Sequence, residues 1–157
     1  PLTLATFDGR TVDSAEAQRG GPTIVLFWAT WCPYCKALMP HLQSMLEEYG
    51  GERALQVFAI SYREDGDPAR YLERQGYTFT AFPEAPAVAE AYDVSGTPGL
   101  FVVSRAGRIE LNLYQLSAAM RTDPEWASLS NAEKAARRAP RWAARVRETL
   151  DQLYTVP

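Results

Sequence analysis

The chain has two cysteines, Cys32 and Cys35, set three positions apart in Trp31-Cys32-Pro33-Tyr34-Cys35-Lys36. Thiols at that spacing can cycle between dithiol and disulfide, so the chemistry on offer is electron transfer through sulfur. An apolar run, Thr23-Ile24-Val25-Leu26-Phe27-Trp28-Ala29, leads into the pair. It reads as a buried strand feeding straight into a helix. Cys32 then falls at or next to the helix N-cap, and Pro33 at the first helical position, where its missing N–H costs nothing. The free N–H groups and the positive end of the helix dipole favour thiolate over thiol at Cys32. Cysteines so placed have pKa values of ~3.5–7.5, against ~8.5 for a free thiol. Cys32 is expected to be the attacking nucleophile. Cys35, one turn inward and less exposed, is the expected resolving thiol.

A second segment, Gly96-Thr97-Pro98-Gly99, precedes the apolar run Leu100 to Val103. A proline in a tight turn before a strand can take the cis form. If it packs against the helix mouth, the backbone of Thr97 can pair with a substrate segment in strand fashion. Trp31, Pro33, Tyr34, Thr97 and Pro98 are therefore the expected substrate-contacting rim, although the helical stripe that starts at Tyr34 also suits packing. Trp28 is expected in the core. The one histidine, His41, lies nine residues past Cys32, about 13 Å along a helix, too far for a Cys–His dyad. Two cysteines are too few for a disulfide framework, and too few for a zinc site with a single histidine. No metal site is expected.

These residues need elements to hold them. Leu2 to Phe7 alternates, and Asp8-Gly9 is a hairpin turn signal before Arg10-Thr11-Val12. Ser14 to Gln18 suits a short helical turn. The strand Thr23 to Ala29 is apolar enough to be covered on both faces. A helix is predicted over Pro33 to Tyr49, kinked at Pro40, with Tyr34, Leu38, Leu42, Met45, Leu46 and Tyr49 on one face. Further strands are predicted over Leu55 to Ile60, Thr78 to Phe82, Leu100 to Val103 and Ile109 to Leu113. Helices are predicted from Pro68 to about Gln75, capped by Asp67, and over Pro86 to Tyr92. Asp123-Pro124-Glu125 reads as a helix start. Ser130 with Glu133 reads as a capping box. Pro140 is expected to break or kink the chain before a last helix over Arg141 to Tyr154.

Strands alternating with helices imply an α/β sandwich around a mixed sheet. At 157 residues the chain reads as a single domain, with 114–130 an insertion and 131–154 C-terminal helices. An apolar fraction of 46% and a charged fraction of 22% are those of an ordinary folded protein. A net charge of -3 gives no footprint for nucleic acid. No run approaches the ~18 apolar residues that cross a bilayer. The chain opens at Pro1 rather than Met, which suggests a leader or anchor removed upstream. The basic residues Lys134, Arg137, Arg138, Arg141, Arg145 and Arg147 read as a solvated helix face, or as a surface for an anionic membrane or an acidic partner.

The segment Phe27-Trp-Ala-Thr-Trp-Cys-Pro-Tyr-Cys-Lys36, with Thr97-Pro98, resembles the active-site segment and cis-proline turn of the thioredoxin superfamily. More narrowly, the chain is similar to the TlpA/ResA/CcmG branch of periplasmic thiol–disulfide oxidoreductases. The features that carry this are the hairpin Leu4 to Val12, the Phe-Trp-Ala-Thr-Trp-Cys block, the extra segment of about Asp67 to Tyr92, and Gly107-Arg108-Ile109. The resemblance implies a thioredoxin-like three-layer sandwich, a monomer, no dissociable cofactor, and export to an oxidising compartment. It also implies protein thiol or disulfide substrates, such as apocytochrome c or copper-site assembly proteins, and a membrane protein as electron donor or acceptor. Two positions depart from the pattern. Thioredoxins carry an acid where this chain has Leu26, and many members of the branch carry a Glu where it has Leu38. Deprotonation of Cys35 must then rely on water, backbone groups or another acid, such as one from the Glu64-Asp65 loop. The expected activity is reduction of protein disulfides, with oxidase or isomerase action and copper binding by the same cysteines as alternatives. A peroxidase would need Pro-x-x-x-Thr-x-x-Cys, which is absent.

Overall fold

The computed structural model describes residues 3–119 and 124–155. The chain opens with an antiparallel hairpin, β1 (Thr3–Ala5) and β2 (Thr11–Asp13). Gly9 takes φ +84 in its turn, a conformation side chains rarely adopt. Leu2, which the sequence placed at the start of this hairpin, lies outside the described residues. Asp13 caps α1 (Ser14–Gly20) by accepting the N–H groups of Ala15 and Glu16.

The next elements are β3 (Thr23–Trp28), α2 (Pro33–Tyr49), β4 (Gln56–Ser61), α3 (Pro68–Gln75), β5 (Thr80–Phe82) and α4 (Pro86–Ala91). They are followed by β6 (Gly99–Val103), β7 (Ile109–Asn112), α5 (Leu113–Ala119), a 3-10 turn (Pro124–Ser128) and α6 (Asn131–Thr155). The main sheet runs β5-β4-β3-β6-β7. β3 pairs parallel with β4 and antiparallel with β6, so the sheet is mixed. Every residue of β3 is buried, as its unbroken apolar run requires of a central strand.

Side chains alternate between two cores. Ile24, Leu26 and Trp28 pack with α2 and α6 on one face. Val25 and Phe27 pack with Val88 and Ala89 of α4 on the other, where Leu4 and Val12 of the hairpin also close in. The result is the expected three-layer thioredoxin-like sandwich. The segment of about Asp67 to Tyr92 adds α3 to the first layer, β5 to the sheet edge and α4 to the last layer. Asp67 accepts the Arg70 N–H, and Gly76 ends α3 at φ +71.

The structure corrects one boundary. Pro140 does not interrupt the last helix, which runs for 25 residues from Asn131. A proline inside a helix costs ~3 kcal/mol or more. Here Ala135, Ala139, Trp142, Ala143, Val146 and Leu150 are buried on both sides of it, while Pro140 itself faces out. Each large buried side chain contributes about 1.5–3 kcal/mol, which outweighs the lost bond. Pro40 likewise stands inside α2 without ending it. Ser130 and Glu133 form the predicted capping box: the Ser130 N–H donates to the Glu133 carboxylate (2.8 Å) and the Glu133 N–H to the Ser130 hydroxyl (3.2 Å). The insertion begins inside α5 and includes the 3-10 turn. Met120 and Asp123 lie outside the described residues.

Candidate active site

Cys32 is the N-cap of α2, with extended backbone at φ −85, ψ 108. Its Sγ accepts the Cys35 N–H at 3.1 Å, and its carbonyl accepts the Lys36 N–H that opens the helix. Its own N–H donates to the Ala29 carbonyl, which turns the chain out of β3. Cys32 and Cys35 are joined as a disulfide, with Cα atoms 5.3 Å apart. Pro33 takes the first helical position, where no intrahelical donor is needed.

The structure differs from the sequence reading on access. Cys32 is 1% exposed, scarcely more than Cys35 at 0%. Both side chains belong to the apolar cluster beneath α2, with Leu26, Trp28, Leu38, Met39 and Leu42. Leu26 and Leu38, the two positions that depart from the pattern, are fully buried in that cluster.

Nor does Glu64 serve as a free acid for Cys35. Its carboxylate accepts the Thr30 N–H (2.8 Å), the Thr30 hydroxyl (2.5 Å), and the N–H groups of Asp65 (3.1 Å) and Gly66 (2.9 Å). Burial alone would raise its pKa, but the hydrogen bonds from Thr30, Gly66 and Asp65 outweigh that and hold it below its ordinary value. Gly66 permits this approach, because a Cβ there would lie 2.7 Å from the Thr30 hydroxyl. The same loop holds Trp31. The indole N–H of Trp31 donates to the Arg63 carbonyl at 2.8 Å, and Arg63 takes φ +49 to present it. Trp31 is 51% exposed, so its ring is a fixed and open surface one residue before Cys32. Trp28 is in the core, as expected.

The Thr97–Pro98 peptide bond is cis. Gly99 is opposite Phe27 in the β3–β6 register, which sets Thr97–Pro98 beside the exit of β3 toward Cys32. Pro98 is buried and Thr97 half-buried, and the Thr97 hydroxyl has no hydrogen-bond partner among the described residues. Sequence reasoning missed what holds this turn. The Tyr114 hydroxyl donates to the Gly96 carbonyl (2.5 Å) and accepts from the N–H groups of Ser95 and Gly96 (3.4 Å each). Burial pushes the Tyr114 phenol up, which keeps its proton in place. Gly99 makes room for it, since a Cβ there would lie 2.8 Å from the hydroxyl.

Tyr34 is half-buried, with its ring 5.9 Å from that of Trp142 on α6. His41 is half-buried on α2. Among the described residues no group of three or more His, Cys, Asp or Glu side chains is placed to hold a metal ion.

Residues 1–112 match the model of the AhpC/TSA family. A thioredoxin-like protein of Haemophilus influenzae is 28% identical over 113 residues, covering 70% of this chain and 64% of that protein. The thiol-disulfide oxidoreductase ResA of Halalkalibacterium halodurans is 26% identical over 110 residues, covering 69% of this chain and 61% of that protein. The chain thus spans less than two thirds of the length of these two relatives. Among solved structures, a secreted disulfide oxidoreductase of Mycobacterium tuberculosis, described as homologous to DsbE of E. coli, superposes with a TM-score of 0.60. It is 25% identical and covers 74% of this chain and 92% of that one.

Proposed function

The chain belongs to the AhpC/TSA family, and from that premise we propose that it is a thiol–disulfide oxidoreductase acting on protein substrates through Cys32 and Cys35. The observation that carries this reading is the Cys32–Cys35 disulfide at the mouth of α2, with the Cys35 N–H aimed at the Cys32 sulfur. The names of the relatives, thiol-disulfide oxidoreductase and disulfide oxidoreductase, point the same way.

In the reducing direction the Cys32 thiolate attacks one sulfur of a substrate disulfide. That S–S bond breaks, a mixed disulfide forms, and one substrate thiolate leaves. Cys35, once deprotonated, attacks the Cys32 sulfur of the mixed disulfide. The second substrate thiolate leaves, and the Cys32–Cys35 disulfide is restored. Two electrons pass to the substrate, and two protons neutralise its thiolates. A dithiol protein must then re-reduce the pair, and we assign that role to a membrane partner. Trp31, Pro33 and Tyr34 form the rim, and the backbone of Thr97, beside Pro98, pairs with the substrate chain.

The reductive direction is supported by the apolar cluster around both sulfurs. A neutral disulfide suits that setting better than a Cys35 thiolate does, which lowers the reduction potential. The N-cap hydrogen bond favours the opposite reading, an oxidase, because it stabilises the reduced thiolate. We place the protein outside the cytoplasm, in maturation of proteins with paired cysteines such as apocytochrome c or copper-site proteins. The secreted relative supports the location. No helix of the described residues is long and apolar enough to cross a membrane. Equilibration with glutathione buffers tests the direction: a potential below about −200 mV supports the reductase, and one near about −120 mV supports the oxidase. A folded, pre-reduced sample that cannot reduce insulin disulfides at any pH removes the reading altogether.

A further inference from the structure

One arginine of α6 stands apart from its neighbours. Arg137, Arg145 and Arg147 are each paired with a glutamate, respectively Glu125, Glu148 and Glu48. Arg138 and Arg141 have no ion pair with any described carboxylate. Arg141 is exposed, whereas Arg138 is held by aromatic rings. Its guanidinium carbon lies 4.1 Å over Trp126, 5.6 Å over Tyr34 and 5.9 Å over Trp142. Its Nε is buried there with no acceptor among the described residues. Stacking of this kind fixes a guanidinium without neutralising it.

Arg138 also lines an open depression of 460 Å³. Ser95, Tyr114, Asn112 and Ser117 line it too, with Asp93. Ser95 is two residues from the cis Thr97–Pro98 bond, and the Tyr114 hydroxyl is bonded to Gly96 of the same turn. On its other side Arg138 stacks on Tyr34, the residue between the two cysteines that follows Pro33. The guanidinium thus borders both Tyr34 of the cysteine turn and the depression that Ser95 and Tyr114 line. Trp126 of the 3-10 turn supplies its nearest ring, which gives the 114–130 segment a role at the site.

We propose that Arg138 and this depression form a subsite for a carboxylate on the substrate protein, an Asp or Glu side chain near its reacting cysteine. The inference rests on the oxidoreductase reading and names the substrate feature that site selects. A planar, unpaired guanidinium suits a carboxylate. The hydroxyl groups of Ser95 and Ser117 and the amide of Asn112 line the same depression. Asp93 also lines the depression and opposes any anion there, a polyanion more than a single carboxylate. The exposed Arg137 and Arg141 and the half-exposed Lys134 add to the attraction on α6.

The test uses the reduced full chain and peptide disulfides that carry one Glu, or Gln in its place, at each position within about four residues of the cysteine, roughly 13 Å of extended chain. The expected result is a kcat/KM about three- to tenfold higher for Glu than for Gln at one or more positions at low salt, the scale of a partly exposed charged pair. Near 0.5 M salt that ratio should shrink toward one. Arg138→Gln should bring the ratio to one, and Arg138→Lys should keep part of it. A wild-type ratio of one at every position, or a preference insensitive to salt, overturns the subsite; neither result needs a variant. A folded Arg138→Gln protein that keeps the preference overturns it as well. The neutral hydroxyethyl disulfide separates the two claims. Wild type that exchanges with it but ignores the charge loses only the subsite. Wild type that exchanges with nothing loses the oxidoreductase reading and the subsite with it.

Discussion

Glu64 accepts both the N–H and the hydroxyl of Thr30, at 2.8 and 2.5 Å, and so fastens the loop after β4 to the turn that delivers Cys32. The residues next to each partner are joined too, Trp31 to the carbonyl of Arg63. Two adjacent staples fix both the height of the helix mouth and the indole beside it. Nothing in the chemistry of sulfur requires a carboxylate at this position. It serves as an anchor for backbone, and its charge strengthens each bond it accepts.

Removing that anchor has a stability cost with a defined pH dependence. Glu64→Ala should destabilise the fold by about 1.5–3 kcal/mol at pH 7, the range for hydrogen bonds to a charged group. The folded carboxyl lies below its ordinary value of 4.5. Its contribution is therefore fully present above that value, and is lost as pH falls through the lower folded pKa. Urea denaturation at pH 7 and at pH 3 measures this. The gap between wild type and Glu64→Ala should narrow at the acid end; an equal gap at both would show that the carboxylate charge is not what binds Thr30.

Tyr114→Phe removes the hydroxyl that donates to the Gly96 carbonyl and accepts from Ser95 and Gly96. The ring keeps its contact with Phe101 (6.1 Å). The expected loss is about 0.5–1.5 kcal/mol, with a higher KM for peptide disulfides because the turn beside Pro98 is less well held. Thermal melts and exchange kinetics on the same sample check both. A variant with unchanged KM would remove Tyr114 from the positioning of that turn.

Leu38→Glu places a carboxyl in the cluster that contains Cys35. Burial raises the pKa of such a group, which suits it to take a proton from a neighbouring thiol near neutral pH. The second step of exchange should accelerate between about pH 6 and 8, while stability falls by about 2–5 kcal/mol for the lost apolar side chain and the buried acid. Stopped-flow release from the mixed disulfide reads the rate. An unchanged rate in a folded variant would mean that Cys35 loses its proton by another route.

Much of this was legible in the sequence where local chemistry dominates. The unbroken apolar run of β3, Pro33 after the capping Cys32, and the Ser130–Glu133 box each depend on residues a few positions apart. The cis bond at Thr97–Pro98 was readable only from a proline before a strand taken together with the Cys32–Cys35 pair. What was not legible depends on residues far apart in the chain. Tyr114 reaches Gly96 across β6 and β7, and Arg138 meets Trp126 and Tyr34 only because α6 packs on α2. The basic run on α6 reads alike at every arginine, yet packing against three rings separates Arg138 from the exposed Arg137 and Arg141. Pro140 was misread for a related reason. A local rule penalises it, and the packing that overrides the rule comes from the opposite helix.

The account rests on Cys32 as a thiolate held by the mouth of α2. Alkylation rate against pH, measured on the reduced Cys35→Ser variant with its single remaining thiol, reads that property directly. The midpoint is expected well below the ~8.5 of a free cysteine, within the ~3.5–7.5 range of thiols at helix N-termini. A midpoint at or above ~8.5 in the folded variant would contradict it, for the apolar cluster would then outweigh the helix, leaving Cys32 protonated at neutral pH.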